Sequence, residues 1–164
     1  MNYAKIMKYD IGNWDGITTT IFFSGCTFHC PGCFNAELQD FNYGELFTKE
    51  IEDLFISYSK SNHVSGVCIL GGEPFQQDMK VMINLFRRIK EEVGKPIHVW
   101  TGYLLEDLLK DPSKREALNY IDTLVDGPFM LCLKNPMLKY RGSSNQRVID
   151  IPNTLLKGEI VHVE

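Results

Sequence analysis

The stretch TTTIFFSGCTFHCPGCFN, Thr18 to Asn35, decides how the rest of the chain is read. Thr18 to Ser24 is dominated by β-branched and aromatic residues and stops at Gly25, which predicts a strand. Cys26, Cys30 and Cys33 follow at once, at x3 and x2 spacing, so they belong to a loop at the strand's end. Gly25, Pro31 and Gly32 let the backbone wrap closely around a ligand. Thiolates are the soft ligands that iron–sulfur clusters need. Three thiolates for a cluster of about four irons leave one iron open, which suits chemistry at the cluster more than electron carriage alone.

Two other readings compete for the same cysteines. A structural zinc site needs a fourth ligand, and His29, Cys68 or Cys132 can serve. Cys30-Pro31-Gly32-Cys33 has the C-x-x-C form of a thiol redox pair, which leaves Cys26 without a role. His29, between the cysteines, reads as a surface or supporting residue. Cys68, within an apolar strand, reads as a buried apolar residue; Cys132 has no assigned role.

Outward from this loop, strands alternate with helices. Phe47 to Ser59 has helical periodicity through Ile51, Leu54, Phe55 and Tyr58, with Thr48 as N-cap. Gly66 to Leu70 is an apolar strand ending at Gly71-Gly72. Asp78 to Val93 is amphipathic, with Val81, Met82, Leu85, Phe86 and Ile89 on one face and Gly94 just beyond its end. Pro96 to Thr101 and Tyr120 to Val125 read as strands, Leu104 to Leu109 as a short helix, and Arg147 to Ile151 as a fifth strand. Phe129 to Gln146 is the least regular stretch. This order predicts parallel βαβ units in an α/β fold. Functional residues in such folds collect at the C-terminal strand ends. Cys26–Cys33, Gly71–Pro74, Thr101–Tyr103 and Asp126–Pro128 each follow a strand, so they are expected to meet at one mouth.

The chain of 164 residues fits a single domain spanning 1–164 and is short for a complete eight-stranded barrel. Its net charge is −4, with no basic tract, which argues against nucleic acid as a partner. There is no long apolar run and no signal-peptide pattern, so the expectation is a cytoplasmic protein without a membrane partner. Five cysteines, three of them within eight residues, do not resemble a disulfide framework.

Beyond the triad, Gly71-Gly72-Glu73-Pro74 lets a ligand approach the backbone, and Glu73 can accept hydrogen bonds from an ammonium group; a tight turn with a surface Glu gives the same pattern. Thr101 can bond a ribose or a carboxylate, or can cap the following helix. Asp126 can bond a ribose hydroxyl or steer a cation, or can simply belong to an Asp-Gly turn. Arg141 and Arg147 can meet a carboxylate or a partner's acids, or can lie in a solvated loop.

The x3, x2 triad after the first strand resembles the signature of radical S-adenosylmethionine (SAM) enzymes. Over nearly the whole chain the sequence resembles the activating proteins of anaerobic ribonucleoside-triphosphate reductase, a family of glycyl radical enzyme activases. The residues that carry this are Asn2-Tyr3, Ser24-Gly25-Cys26, Cys30 to Asn35, Gly71 to Pro74, Trp100-Thr101-Gly102-Tyr103, Val125-Asp126-Gly127 and Arg141 to Gln146. One departure is Gly32, where most radical SAM enzymes carry an aromatic residue that meets the adenine; only backbone contact is available there, and Phe34 is expected to supply the apolar wall.

The resemblance implies a trimmed, partial radical SAM βα barrel of about five or six mostly parallel strands. It implies a [4Fe–4S] cluster on Cys26, Cys30 and Cys33, and SAM held by Gly32, Cys33, Phe34, Gly71, Gly72, Glu73, Thr101, Asp126, Arg141 and Asn145. No side chain beyond the cluster and SAM is expected to be catalytic. Reductive cleavage of SAM would give a 5′-deoxyadenosyl radical that makes a glycyl radical on the reductase. A flavodoxin or ferredoxin would donate the electron, and a homodimer is compatible with the sequence. Two alternatives stay open: an activase of another glycyl radical enzyme, such as a formate-lyase type, and a non-catalytic iron–sulfur or zinc binding module.

Overall fold

The computed structural model describes residues 1–163. Among the described residues seven strands form one mixed sheet: β1 Asn2–Asp10, β2 Thr18–Phe23, β3 Glu45–Leu46, β4 Gly66–Gly71, β5 Ile97–Trp100, β6 Thr123–Asp126 and β7 Arg147–Asp150. Their order is β3-β1-β2-β4-β5-β6-β7. The centre, β2-β4-β5-β6, is parallel, as the alternation of strands and helices predicts. β1 runs antiparallel to β2 and to β3, and β7 runs antiparallel to β6. The sheet is open, with β3 and β7 at its edges, and does not close into a barrel.

β1 is the strand that the sequence conceals. Its pairing with β2 shifts register between Tyr3 and Lys5 and again between Met7 and Asp10. Such irregularities interrupt the period-two alternation by which a strand is read. β7 was legible as a strand, but not its direction.

Alternation along the central strands divides the sheet into two unlike faces. Ile21, Phe23, Val67, Ile69, Ile97 and Val99 point into a buried core with α1 Lys49–Ser59 and α2 Met79–Arg88. α3 Leu105–Leu108 and α4 Pro112–Leu118 add Leu105, Leu108, Ala117 and Leu118 to the same core. On the opposite face, Phe22, Leu70 and Trp100 border a cavity.

The helices begin and end where their caps dictate. Thr48 accepts from the Ile51 amide at the start of α1, and Asp78 accepts from Lys80 and Val81 at the start of α2. A π-helical turn, Ile89–Val93, continues α2 to Gly94, whose φ of 69° is the left-handed conformation a terminating glycine supplies. The buried face of α1 lies one residue on from the expected one: Glu52, Phe55, Ile56 and Ser59 face inward, while Leu54 is exposed. The buried Glu52 carboxylate is held by Arg88 at 2.5 Å and Asn84 at 3.2 Å, so a polar pairing with α2 sets the rotation. α4 and α5 Ile151–Lys157 were not read from the sequence; both begin on an aspartate cap with a proline in the first turn, Pro112 and Pro152.

Candidate active site

The four clusters that follow the parallel strands meet at one cavity of about 450 Å³. That volume is in the range of small-molecule and cofactor sites. Cys26, Cys30 and Cys33 border it, as do Gly71, Gly72 and Glu73 from the end of β4, Thr101 and Gly102 from the end of β5, and Gly127 from the end of β6.

Close backbone contacts lock the cysteine loop onto the end of β4. The Gly25 amide donates to Leu38 O at 2.7 Å, and the Glu73 amide donates to Gly25 O at 2.8 Å. A Cβ on Gly72 would stand 2.4 Å from Gly25 O, and one on Gly71, with φ of 121°, 2.1 Å from Phe23 O. The two glycines are therefore required by the approach of the strands themselves, whatever ligand they also admit. Gln76 and Gln77 complete the attachment. Gln76 accepts from the Thr27 amide at 2.8 Å and donates to the Thr27 hydroxyl at 2.9 Å, and Gln77 donates to Gly25 O at 3.2 Å. Neither glutamine was singled out in the sequence, although the polar pair directly follows Gly71–Pro74.

Glu73 is 1 % exposed. Its carboxylate accepts from the Phe75 amide at 3.0 Å, the Thr101 hydroxyl at 2.8 Å and the Gly102 amide at 2.8 Å. Burial nevertheless pushes its pKa up to about 7, because these donors offset only part of the cost of removing the charge from water. Thr101 thus serves Glu73, and its oxygen also accepts from the Tyr103 amide at 3.1 Å.

The three thiols are each partly exposed, whereas Cys68 is buried and Cys132 exposed. Burial raises the Cys26 pKa, and the charges of Glu73, Cys30 and Cys33 raise it further, so these groups are electrostatic neighbours. Among the described residues, no three His, Cys, Asp or Glu side chains are gathered to hold a single metal ion. A cluster asks for less convergence, since each thiolate binds a different iron. Three soft donors on one cavity wall fit such a group. His29 faces out, with Nδ1 2.7 Å from Gln39 Oε1.

Other expected site residues divide. Phe34 and Arg141 border the cavity. Phe34 packs against Phe129 with ring centroids 5.1 Å apart, and Arg141 donates to Gln146 O at 2.6 Å. Asp126 does not reach the cavity: it is fully buried and bonds the Arg147 guanidinium and the Leu105 amide. Arg147 is taken up by that pairing and by Glu106, so neither residue is placed for a ligand. Asn145 also lies outside the cavity wall and donates to Pro128 O at 2.7 Å. Gly32 does not border the cavity either; a Cβ there would meet Leu131 Cδ1 at 2.8 Å. Its φ of 73° is the left-handed conformation that glycine adopts without strain, and the half-exposed Leu131 lies beside it.

Gly12, Asn13, Trp100, Leu138, Tyr140 and Gln146 also border the cavity. Gly12 and Asn13 come from the turn between β1 and β2, where Asp10 holds them by accepting from the Gly12 amide at 2.8 Å and Asn13 Nδ2 at 2.6 Å. Tyr140, with φ of 65°, stacks on Trp14 at 3.8 Å.

A family described as a 4Fe-4S single cluster domain matches residues 13–149. The anaerobic ribonucleoside-triphosphate reductase-activating protein of Salmonella typhi is 41 % identical over 152 residues, covering 90 % of this chain and 97 % of its own. The protein of the same name from Vibrio cholerae is 37 % identical, covering 89 % of this chain and 96 % of its own. The chain belongs to the anaerobic ribonucleoside-triphosphate reductase-activating protein family. A more distant member, from Enterobacteria phage T4, is 33 % identical across 90 % of this chain and 93 % of its own. Membership in this family brings an iron–sulfur cluster as cofactor, and Cys26, Cys30 and Cys33 are the partly exposed cysteines that share the cavity.

Proposed function

We propose that this chain activates an anaerobic ribonucleoside-triphosphate reductase by generating a glycyl radical on it, using SAM and a [4Fe–4S] cluster. The observation that carries the reading is one cavity bordered by Cys26, Cys30, Cys33 and Glu73, in a chain about as long as its activating-protein relatives. When bound, the cluster supplies one electron for cleavage of SAM to methionine and a 5′-deoxyadenosyl radical, which takes hydrogen from a glycine Cα of the reductase.

The chain's own residues hold and orient. Cys26, Cys30 and Cys33 bind the cluster as thiolates. Gly71 and Gly72 keep the backbone open at the end of β4. Glu73 accepts the α-ammonium of SAM with the acceptor capacity left over from its three donors. That cation draws the carboxyl below its resting pKa of about 7 and so fixes its charge. Arg141 meets the SAM carboxylate, and Phe34 with Phe129 supplies an apolar wall. Residues 1–164 work as one domain in a trimmed radical SAM arrangement, where the open sheet leaves the cavity accessible to a protein substrate. A flavodoxin or ferredoxin donates the electron, and the cytoplasm is the site of action. Among the described residues no helix is long and apolar enough to cross a membrane.

Anaerobic reconstitution with iron and sulfide, reduction, and addition of SAM tests the chemistry. Release of 5′-deoxyadenosine supports the reading. A cluster-loaded chain that leaves SAM intact contradicts it and favours a binding module.

A further inference from the structure

The segment from Gly127 to Gln146 is built unlike the rest of the chain. In a protein of net charge −4 it contains Lys134, Lys139 and Arg141 and no Asp or Glu, and the one carboxylate beside Lys139 is the exposed Asp15 at 3.6 Å, a surface pair that holds the lysine only weakly. It folds back on itself as an irregular hairpin, with Lys134 bridged to Ser143, the Asn135 amide donating to Gly142 O at 3.1 Å and the Ser144 amide donating to Leu133 O at 3.0 Å. Both of its ends belong to the cavity wall, through Gly127 and Phe129 on one side and Arg141 and Gln146 on the other. Between them, Met130 is 41 % exposed, Leu133 38 % and Met137 88 %. Leu131 leans on Gly32 and Lys134 Nζ lies 5.1 Å from the Phe34 ring, so the hairpin stands directly against the cysteine loop.

Several large apolar side chains exposed on one hairpin, whose neighbouring residues line the cavity, mark a surface made for a partner. The hairpin's continuity with the cavity wall, through Phe129, Leu138 and Arg141, favours the substrate protein over any other occupant, because a reacting glycine has to reach that cavity. We propose that the 130–139 hairpin is the docking surface for the glycine-bearing segment of the reductase, receiving apolar side chains on Met130, Leu133 and Met137 while Lys134 and Lys139 face an acidic surface around that segment. This rests on the function proposed above and adds which surface of the chain recognises the substrate protein.

Apolar contacts at such a centre carry most of the affinity, and rim charges mainly steer approach. Met137→Glu and Leu133→Glu alter exposed side chains outside the cavity wall. The test compares wild type and both variants, cluster-loaded, in three assays: SAM cleavage without reductase, glycyl radical yield on the anaerobic reductase with dithionite as reductant, and the same yield with flavodoxin as donor. Direct binding of the cluster-loaded chain to the reductase, with SAM withheld, is measured alongside. The expected result is unchanged SAM cleavage, with reductase affinity and radical yield lowered roughly tenfold or more under both reductants. Wild-type affinity should also weaken as salt rises, and weaken less in Lys139→Gln. Unchanged affinity and radical yield overturn the inference. So does a loss confined to flavodoxin, which makes the surface the donor's, or a parallel loss of SAM cleavage, which makes it part of the cavity. A wild-type chain that cleaves SAM but leaves the reductase without a radical overturns the proposed function, and the inference with it.

Discussion

The Thr101 hydroxyl donates to Glu73 Oε1 at 2.8 Å, tying the end of β5 to the end of β4 beneath the cavity. Hydrogen bonds to a charged acceptor contribute about 1.5–3 kcal/mol. Thr101→Val keeps the shape and removes the donor, so the Glu73 pKa rises above its present value. The variant should bind SAM roughly tenfold more weakly at neutral pH and recover part of that loss at higher pH. Calorimetric titration at two pH values checks this; equal affinity for variant and wild type would detach Thr101 from Glu73's role.

Glu73 also makes the stability of the ligand-free fold depend on pH. Its carboxyl titrates near 4.5 when unfolded and near 7 when folded, because burial disfavours the charge. Between those values the folded state holds the extra proton, so stability from this group is complete below about 4.5 and is lost as pH rises through about 7. Glu73→Gln should remove that dependence and leave a stability that is flat across this pH range. Urea unfolding across pH 5–8 measures it.

The cysteines separate by position. Cys26→Ala, Cys30→Ala and Cys33→Ala should each lose bound iron and SAM cleavage. Cys68→Ala should retain both, since Cys68 is fully buried on β4 and its thiol is pushed up to about 12 by burial, which keeps it protonated. Iron and sulfide content after anaerobic reconstitution decides the matter without reference to activity.

Asp126 should prove a structural residue. It is fully buried, and Arg147 is its charge partner. Removing one member of such a pair strands the other, so Arg147→Ala should cost about 3 kcal/mol or more of stability. SAM affinity in the surviving folded protein should be little changed. A stable Arg147→Ala protein with weakened SAM binding would return the pair to the site.

The parallel centre of the fold was legible because its strands are short apolar runs, each stopped by a glycine or polar cluster at the end that carries the site. β1 was not, since its irregular pairing with β2 breaks the alternation, and with it went Gly12 and Asn13 of the cavity wall. The sequence marks Cys26, Cys30, Cys33, Gly71, Gly72 and Glu73 by residue type and spacing, and all of them border the cavity. Asp126 and Asn145 have equally suggestive chemistry, but their partners, Arg147 and Pro128 O, are brought to them only by the antiparallel return of β7 and its preceding loop. Gly32 differs, for its φ of 73° is a left-handed conformation that the loop itself sets, while the Leu131 that lies beside it comes from 99 positions further along the chain.

The central claim is radical transfer to a protein glycine, and electron paramagnetic resonance of the reductase tests it most directly. The chain is reconstituted and reduced anaerobically, mixed with SAM and the anaerobic ribonucleoside-triphosphate reductase, and frozen. The account predicts a glycyl radical doublet on the reductase that requires SAM and is absent with Cys30→Ala. A reductase that stays free of radical while the same chain releases 5′-deoxyadenosine would contradict it.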